Sequence, residues 1–597
     1  MNPQSAIRIP QFSTMRIALI PLVIFAGALV SSAEIASQPK AAGPPKPSLE
    51  EIKTKLQAEG DAWLAKVKAE ETRTTQFQKL GAPAWALAQR EALAKYRLWA
   101  HWWITHQRVN GQFGGGYGDS VELVTGWPLL VLGLDDRKVF ESLRILADGV
   151  WATEPIKSNG YDIYSDVQHS AEPTSYSQPH MVVLDDANPK WAGRCRETMA
   201  ALEKHWLARN GNDRLQLRSH MLGFDAKTGV PRVDAKQLWD IPEGAKALKP
   251  GLLAVWRDND AASKKLLFEY ADTWVEAAAA TPGGLLPAQL HFATGKPEGS
   301  WTLPPQMRAL LFHLIGCHGM TGDAKYLAPV KATLDELVVK QAVNHLPGGL
   351  AHPRYPGEFA YNLSVIANIA MRWRLASGDR SLDGAFKAWA ETLAAKLAGG
   401  HATYYYCDRA LPELWLKIPA NVGAFRMPRT ATAGPQLYLG WLVTRDDTLL
   451  VKACENLSHD LTDQWGPLTW WFFDKTQKSV TSNDHVAHSI QSAATALADM
   501  MLGGPGPIES CWPLMAVSYE NAPQDFAALV LEHDTQRLKL AAFNFDDSPR
   551  EVGLRLWELA PGRYRVGDRE VELKARDRIR VTLPPQRLET IEIVRIK

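Results

Sequence analysis

Little in this sequence points toward nucleic acid, metal or phosphate chemistry. Its 597 residues carry 66 basic and 65 acidic side chains, so no net field draws in nucleic acid or an anionic membrane surface. The five cysteines, Cys195, Cys317, Cys407, Cys454 and Cys511, are odd in number, far apart and without any Cys-x-x-Cys pair. They signal neither a disulfide framework nor a thiolate metal site. Core packing is their expected role, with one or two bridges left open by an oxidising compartment. There is no Gly-x-Ser-x-Gly elbow, no His-Glu-x-x-His and no dinucleotide fingerprint opening a βαβ unit, so the catalytic classes those motifs define find little support. No metal and no cofactor is expected.

Long apolar runs are equally scarce. One stretch, Ile17 to Val30, follows Arg8 and Arg16 and precedes Ser31-Ser32-Ala33. It is shorter than the roughly 20 residues of a spanning helix, and its basic flank and small-residue end have the form of a secretory signal. Export to the periplasm or the medium is the expectation, with Met1 or Met15 as start. Residues 1–33 are read as the signal and residues 34–47, rich in Pro, Ala and Lys, as an extended tether.

What is present is tryptophan, 22 of them, well above what a chain of this length ordinarily holds. Some are expected in the core, and the surplus fits a cleft that stacks aromatic faces on sugar rings. Helical periodicity fills residues 48–502. Ser48 and Glu51 form a capping-box start, and Pro83 to His106 places Trp85, Leu93, Tyr96, Trp99 and Trp103 on one face. Further helices are predicted for Arg137 to Trp151, Lys190 to Leu207, Ala262 to Ala279, Pro304 to Met320, Lys325 to Val343, Glu358 to Ser377, Leu382 to Leu397, Pro435 to Val443, Asp447 to Thr462 and His485 to Met501. About a dozen amphipathic helices with alternating connections imply hairpins closed into an α/α toroid, since each stripe must be buried by a neighbour.

Gly503-Gly504-Pro505-Gly506-Pro507 breaks the pattern, and residues 503–512 are read as a linker. In residues 513–597 the period becomes two, from Phe526 to Glu532 through Leu588 to Val594, which predicts a small all-β, sandwich-like domain.

An export signal, about a dozen helices with Trp- and Tyr-rich loops, and a terminal β domain containing Pro561-Gly562-Arg563-Tyr564 resemble the α/α-toroid carbohydrate-active enzymes, the six-hairpin glycosidases and toroidal polysaccharide lyases. The resemblance is architectural and covers Ser48 to Lys597. It implies acid/base cleavage of a glycan and assigns no catalytic residue.

Two loops carry the densest chemistry. Asn110 to Glu122 combines glycines with Tyr117, Asp119 and Glu122, the acids sharing a face if a helix starts at Asp119; the plain alternative is a helix cap. Tyr161 to His180 contains Asp166, His169, Glu172 and Tyr176 at spacings of three or four, which suits a general acid, a base and sugar-hydroxyl ligands, although a self-bonded polar loop has the same composition. Asp119, Glu122, Asp166, His169, Glu172 and Tyr176 are the candidate catalytic groups. Tyr117, Tyr161, His180, His352, Arg354, Glu358, Tyr405, Arg426, Arg429 and His485 are the candidate substrate-binding groups, the arginines suiting a carboxylated sugar. Two carboxyl groups favour a glycoside hydrolase on a neutral or uronate-bearing glycan. A lyase using Tyr or His, and a glycan-binding protein without catalysis, are the alternatives.

Overall fold

The computed structural model describes residues 49–113, 116–225, 227–233, 238–299, 304–342, 358–398, 403–405, 426–428, 434–462, 494–508 and 514–596. The expected signal and tether, residues 1–47, lie outside the described residues, as does the first part of the helix expected from His485. Helices α1 Leu49–Phe77, α2 Ala84–Ile104, α3 Tyr117–Leu123, α4 Pro128–Leu134, α5 Arg137–Trp151, α6 Glu154–Asn159, α7 Val167–Ser175, α8 Gln178–Leu184 and α9 Pro189–His205 come first. After a run of short strands and a 3-10 turn at Pro242–Leu248 come α10 Lys249–Asp258, α11 Ala261–Ala279, α12 Pro304–Thr321, α13 Ala328–Leu334, α14 Glu358–Ser377, α15 Asp383–Ala398, α16 Gly434–Thr444 and α17 Asp447–Thr462.

Local chemistry explains these boundaries. Asp136 accepts hydrogen bonds from the amides of Lys138 and Val139 at 3.1 Å each, and so starts α5. Val139, Leu143, Leu146 and Val150 then recur at helical spacing and are buried. The helix predicted for Lys325 to Val343 is not continuous. A 3-10 turn at Ala324–Tyr326 precedes α13, and the chain then widens into a π-helical segment, Asp335–Ala342. Pro329 lies in the first turn of α13, where a missing N–H costs nothing, so the helix restarts there.

The helices close a ring. Packing runs from α2 to α5, α8, α10, α12, α14, α16 and α17, and α17 returns to α2. Helices α9, α11, α13 and α15 pack against members of this ring. This is an α/α toroid. Its core is built on indoles. Trp63, Trp99, Trp103, Trp127, Trp191, Trp206, Trp274, Trp373, Trp389 and Trp441 are all fully buried, each removing about 150–250 Å² from water, or roughly 4–6 kcal/mol before ordering entropy is subtracted. Most of the described tryptophans therefore serve packing, as expected for part of the set, and six of the 22, Trp301, Trp415, Trp465, Trp470, Trp471 and Trp512, lie outside the described residues. Cys195, Cys317 and Cys454 are buried free thiols.

The C-terminal β region is a sandwich. Strands β10 Val517–Glu520, β13 Arg550–Leu556 and β16 Arg578–Leu583 form one antiparallel sheet. The other has the order β11, β12, β17, β14, β15, with β11 Phe526–His533, β12 Arg537–Asn544, β17 Leu588–Arg595, β14 Gly562–Val566 and β15 Arg569–Leu573. Earlier strands, β1 to β9, form short ribbons: β1 Leu207–Arg209 with β2 Leu215–Leu217, β3 Gly223–Phe224 with β4 Pro231–Arg232, β5 Trp239–Asp240 with β6 Gln289–His291 and β7 Pro297–Glu298, and β8 Thr403–Tyr405 with β9 Arg426–Pro428. These ribbons and β10 are too short to show a period in the sequence.

Sandwich and ring share a buried interface. Strand β11 packs on α2, and β10 on α4. Arg90 donates to Asp525 at 2.7 Å with both side chains buried, and the Arg576 guanidinium lies 4.0 Å over the ring of Trp256, which faces Trp557. No helix among the described residues is long and apolar enough to cross a membrane.

Candidate active site

Three short elements meet beside the ring helix α12. Helix α7 packs against α3 and against the turn Pro242–Leu248, and α12 packs on that turn as well. Helix α3 begins at Tyr117, two residues before the start expected from the sequence, so Asp119 sits in its first turn rather than at its cap. The Asp119 carboxylate accepts from the Gly116 amide at 3.4 Å, a weak bond at that length. Burial pushes the Asp119 carboxyl up from its ordinary range; the Gly116 amide opposes this and the charge of Glu172 adds to it. Helix α7 is capped by Asp166, which accepts from the His169 amide at 3.1 Å and holds the His169 ring at 2.8 Å from Nδ1. That hydrogen bond raises the His169 pKa against the opposing effect of burial.

Glu172 lies one turn further on, facing α3. A Cβ built on Gly118 would stand 3.4 Å from Glu172 Oε2, so the α3 backbone rests directly on this carboxylate. From the other side Lys246 brings Nζ to 3.3 Å from Glu172 Oε1 and 4.0 Å from Glu243 Oε1. Burial alone would lower the Lys246 ammonium, but Tyr176, Glu172, Glu243 and Glu122 together hold it well above the ordinary lysine range. Glu243 is itself raised, first by burial, with Lys246 opposing. The Tyr176 ring is covered by Lys246 at 5.5 Å and Lys249 at 4.6 Å, and burial pushes its phenol up to about 12.

The turn bearing Lys246 rests on a buried acid. Asp240 is fully buried, accepts from the Leu217 amide at 3.2 Å, and burial pushes its carboxyl up to about 8. Gly244 lets the turn approach: a Cβ there would meet Asp240 Oδ1 at 2.8 Å and Leu217 Cδ1 at 2.5 Å. Tyr117 ties the loop before α3 by donating to the Asn110 carbonyl at 2.9 Å.

The structure thus brings Tyr117, Asp119, Glu122, Asp166, His169, Glu172 and Tyr176 to neighbouring elements. Two expected ligands are corrected. Tyr161 is wholly buried, its ring against Trp206 at 4.8 Å and its hydroxyl donating to the Val167 carbonyl at 3.2 Å. His180 is 1% exposed, and burial, with Lys249, holds it well below the ordinary histidine range. Both rings are enclosed by the protein rather than presented at the surface of the site. Glu358 opens α14, and Tyr405 stands opposite Arg426 in the β8–β9 backbone register. His352, Arg354, Arg429 and His485 lie outside the described residues. Glu243, Lys246 and Lys249 were missed, since a seven-residue turn carries no periodicity and Glu243-x-x-Lys246 reads as a solvated pair.

Fold and site together define a helical toroid with an acid-rich cluster on one side. No known family profile matches the sequence, and no curated protein matches it. Among solved structures it is similar to a glycoside hydrolase family 76 mannosidase from Bacteroides thetaiotaomicron VPI-5482, at 8% identity over 48% of this chain and 84% of that one, with a TM-score of 0.34. It is also similar to an inactive variant of an α-1,6-mannanase of Salegentibacter sp. HEL1_6 in complex with α-1,6-mannotetrose, at 13% identity over 65% of this chain and 99% of that one, with a TM-score of 0.36. With likeness this distant, the chemistry of this chain rests on its own side chains.

Proposed function

We propose that this chain is an exported glycoside hydrolase, with Asp119 as general acid and Glu172 as its ionised partner. One observation carries the reading: two neighbouring carboxyl groups sit in different environments, one buried and one ion-paired. Asp119 is pushed toward its protonated form by burial and by the charge of Glu172, whereas Glu172 is paired with Lys246. Glycosidic cleavage needs that division, a proton donor for the leaving oxygen and a carboxylate for the developing oxocarbenium ion or the attacking water. Glu122 and Glu243 add negative charge around the same lysine. The glycan, neutral or uronate-bearing, would enter over α3 and α7.

The elimination reading has less support. Its base must give up its own proton near neutral pH, yet the Tyr176 phenol is pushed up to about 12 and His169 is raised by Asp166. Pure binding through aromatics is weakened by the burial of most described indoles. Incubating the purified protein with neutral and uronate-bearing polysaccharides tests the reading. New reducing ends without ultraviolet absorbance support hydrolysis; an absorbing unsaturated uronide, or no product from either group, overturns it.

A further inference from the structure

Lys246 belongs to no pattern in the sequence, yet it reaches three groups of the site. Its ammonium is buried to 13% side-chain exposure and reaches Glu172 Oε1 at 3.3 Å, Glu243 Oε1 at 4.0 Å and the Tyr176 ring at 5.5 Å. The turn that carries it is immobilised from below. Gly244 packs on the Asp240 carboxyl, Asp240 is anchored to the Leu217 amide, and Lys249, just beyond the turn, donates to the Ile508 carbonyl at 3.2 Å. A long flexible side chain placed on so fixed a base delivers its charge to one point.

That point matters because of the charges around it. The turn contributes Glu243, with Asp240 beneath; α7 and its two caps contribute Asp166, His169, Glu172 and Tyr176; α3 contributes Tyr117, Asp119 and Glu122; α8 contributes the buried His180, α10 contributes Lys249 and α12 contributes Arg308. Acids outnumber bases here, and each added negative charge near Asp119 favours its protonated form. We propose that Lys246 is the positioning residue of this site: its ammonium holds the Glu172 carboxylate against α3 and balances the acids that surround Asp119. The inference rests on the glycosidase reading for its meaning in catalysis, but its physical content is a property of the protein alone.

The test therefore needs no substrate. The rate at which a water-soluble carbodiimide with glycine ethyl ester labels a carboxyl follows its protonated fraction, and peptide mass spectrometry reads the pH midpoint of the Asp119 labelling rate. In Lys246→Met the midpoint moves up by about one pH unit, and in Lys246→Arg it stays at the wild-type position. In Glu243→Gln, where one acid is removed and Lys246 is left to Glu172, the midpoint moves down. A structural role alone leaves the midpoint unmoved. An unchanged or lowered midpoint in Lys246→Met overturns the assignment, as does an unchanged or raised one in Glu243→Gln, and if Lys246→Met does not fold the same reading in Lys246→Gln decides the matter. If the midpoints shift as stated while no glycan is cut, Lys246 keeps its role and the hydrolase reading falls. If glycan is cut while the midpoints stay in place, the hydrolase reading stands and the role of Lys246 falls.

Discussion

Gln89 closes the open edge of the C-terminal sandwich by hydrogen bonding to both backbone groups of Ala528. Its side-chain amide donates to the Ala528 carbonyl at 2.9 Å and accepts from the Ala528 amide at 2.8 Å. Strand β11 is an edge strand, and an edge left open is a template for unwanted pairing. A buried glutamine on α2 thus stands in for the missing neighbour and joins sandwich to ring. Gln89→Ala leaves a buried N–H and a buried C=O without partners, so a loss of about 2–3 kcal/mol is expected. Urea unfolding checks it, and a change below about 0.5 kcal/mol, typical of a surface substitution, contradicts it.

Asp240 makes stability depend on pH in a particular direction. Its unfolded carboxyl loses its proton near the ordinary 3.8, whereas in the fold it keeps the proton up to about 8. Between those values the folded state binds more protons than the unfolded one, so this group's contribution is full below the lower value and is lost as pH rises toward the upper. Asp240→Asn keeps the shape and stays neutral. The variant's loss of stability between about pH 5 and about pH 8 is expected to be smaller than that of wild type; an equal or steeper loss, read by urea midpoints at both pH values, sinks the account of Asp240.

Gly149 supports the loop that leads into α3. A Cβ there would lie 1.9 Å from the Asn110 carbonyl oxygen and 2.9 Å from the Tyr117 hydroxyl, so Gly149→Ala must displace the segment that Tyr117 anchors. Since a shift of about 1 Å in a positioned group can cost on the order of a hundredfold in rate, glycan cleavage is expected to fall by about that factor. Wild-type kcat/KM in the variant would detach this loop from the chemistry.

Legibility in the sequence followed length and periodicity. Helix α5 was readable to the residue because Asp136 caps it and Val139, Leu143, Leu146 and Val150 repeat at its pitch. The segment from Lys325 was not, because Pro329 divides a stretch whose hydrophobic pattern runs on unbroken. Asp119, Asp166 and Glu172 were visible as a cluster, since polar groups in long connections stand out against an apolar background. Tyr161 and His180 stood out in the same way and are buried, because a ring with a polar tip satisfies a loop pattern and a core equally well. The glycines at the joint mislead similarly. Gly503 and Gly504 are there for close packing, a Cβ on Gly504 lying 2.3 Å from the Leu514 carbonyl oxygen. Lys246 became visible only when α7 and the Pro242–Leu248 turn were brought together.

The acid–partner division between Asp119 and Glu172 is tested most directly by the rates of Asp119→Asn and Glu172→Gln on a glycan that the wild-type protein cuts, with folding checked by circular dichroism. Each is expected to lose about 10²–10⁴-fold in kcat, and the wild-type alkaline limb, set by the raised Asp119 carboxyl, is expected to vanish from the residual activity of Asp119→Asn. Folded variants that keep wild-type kcat, or an Asp119→Asn protein that keeps the same alkaline limb, would contradict it.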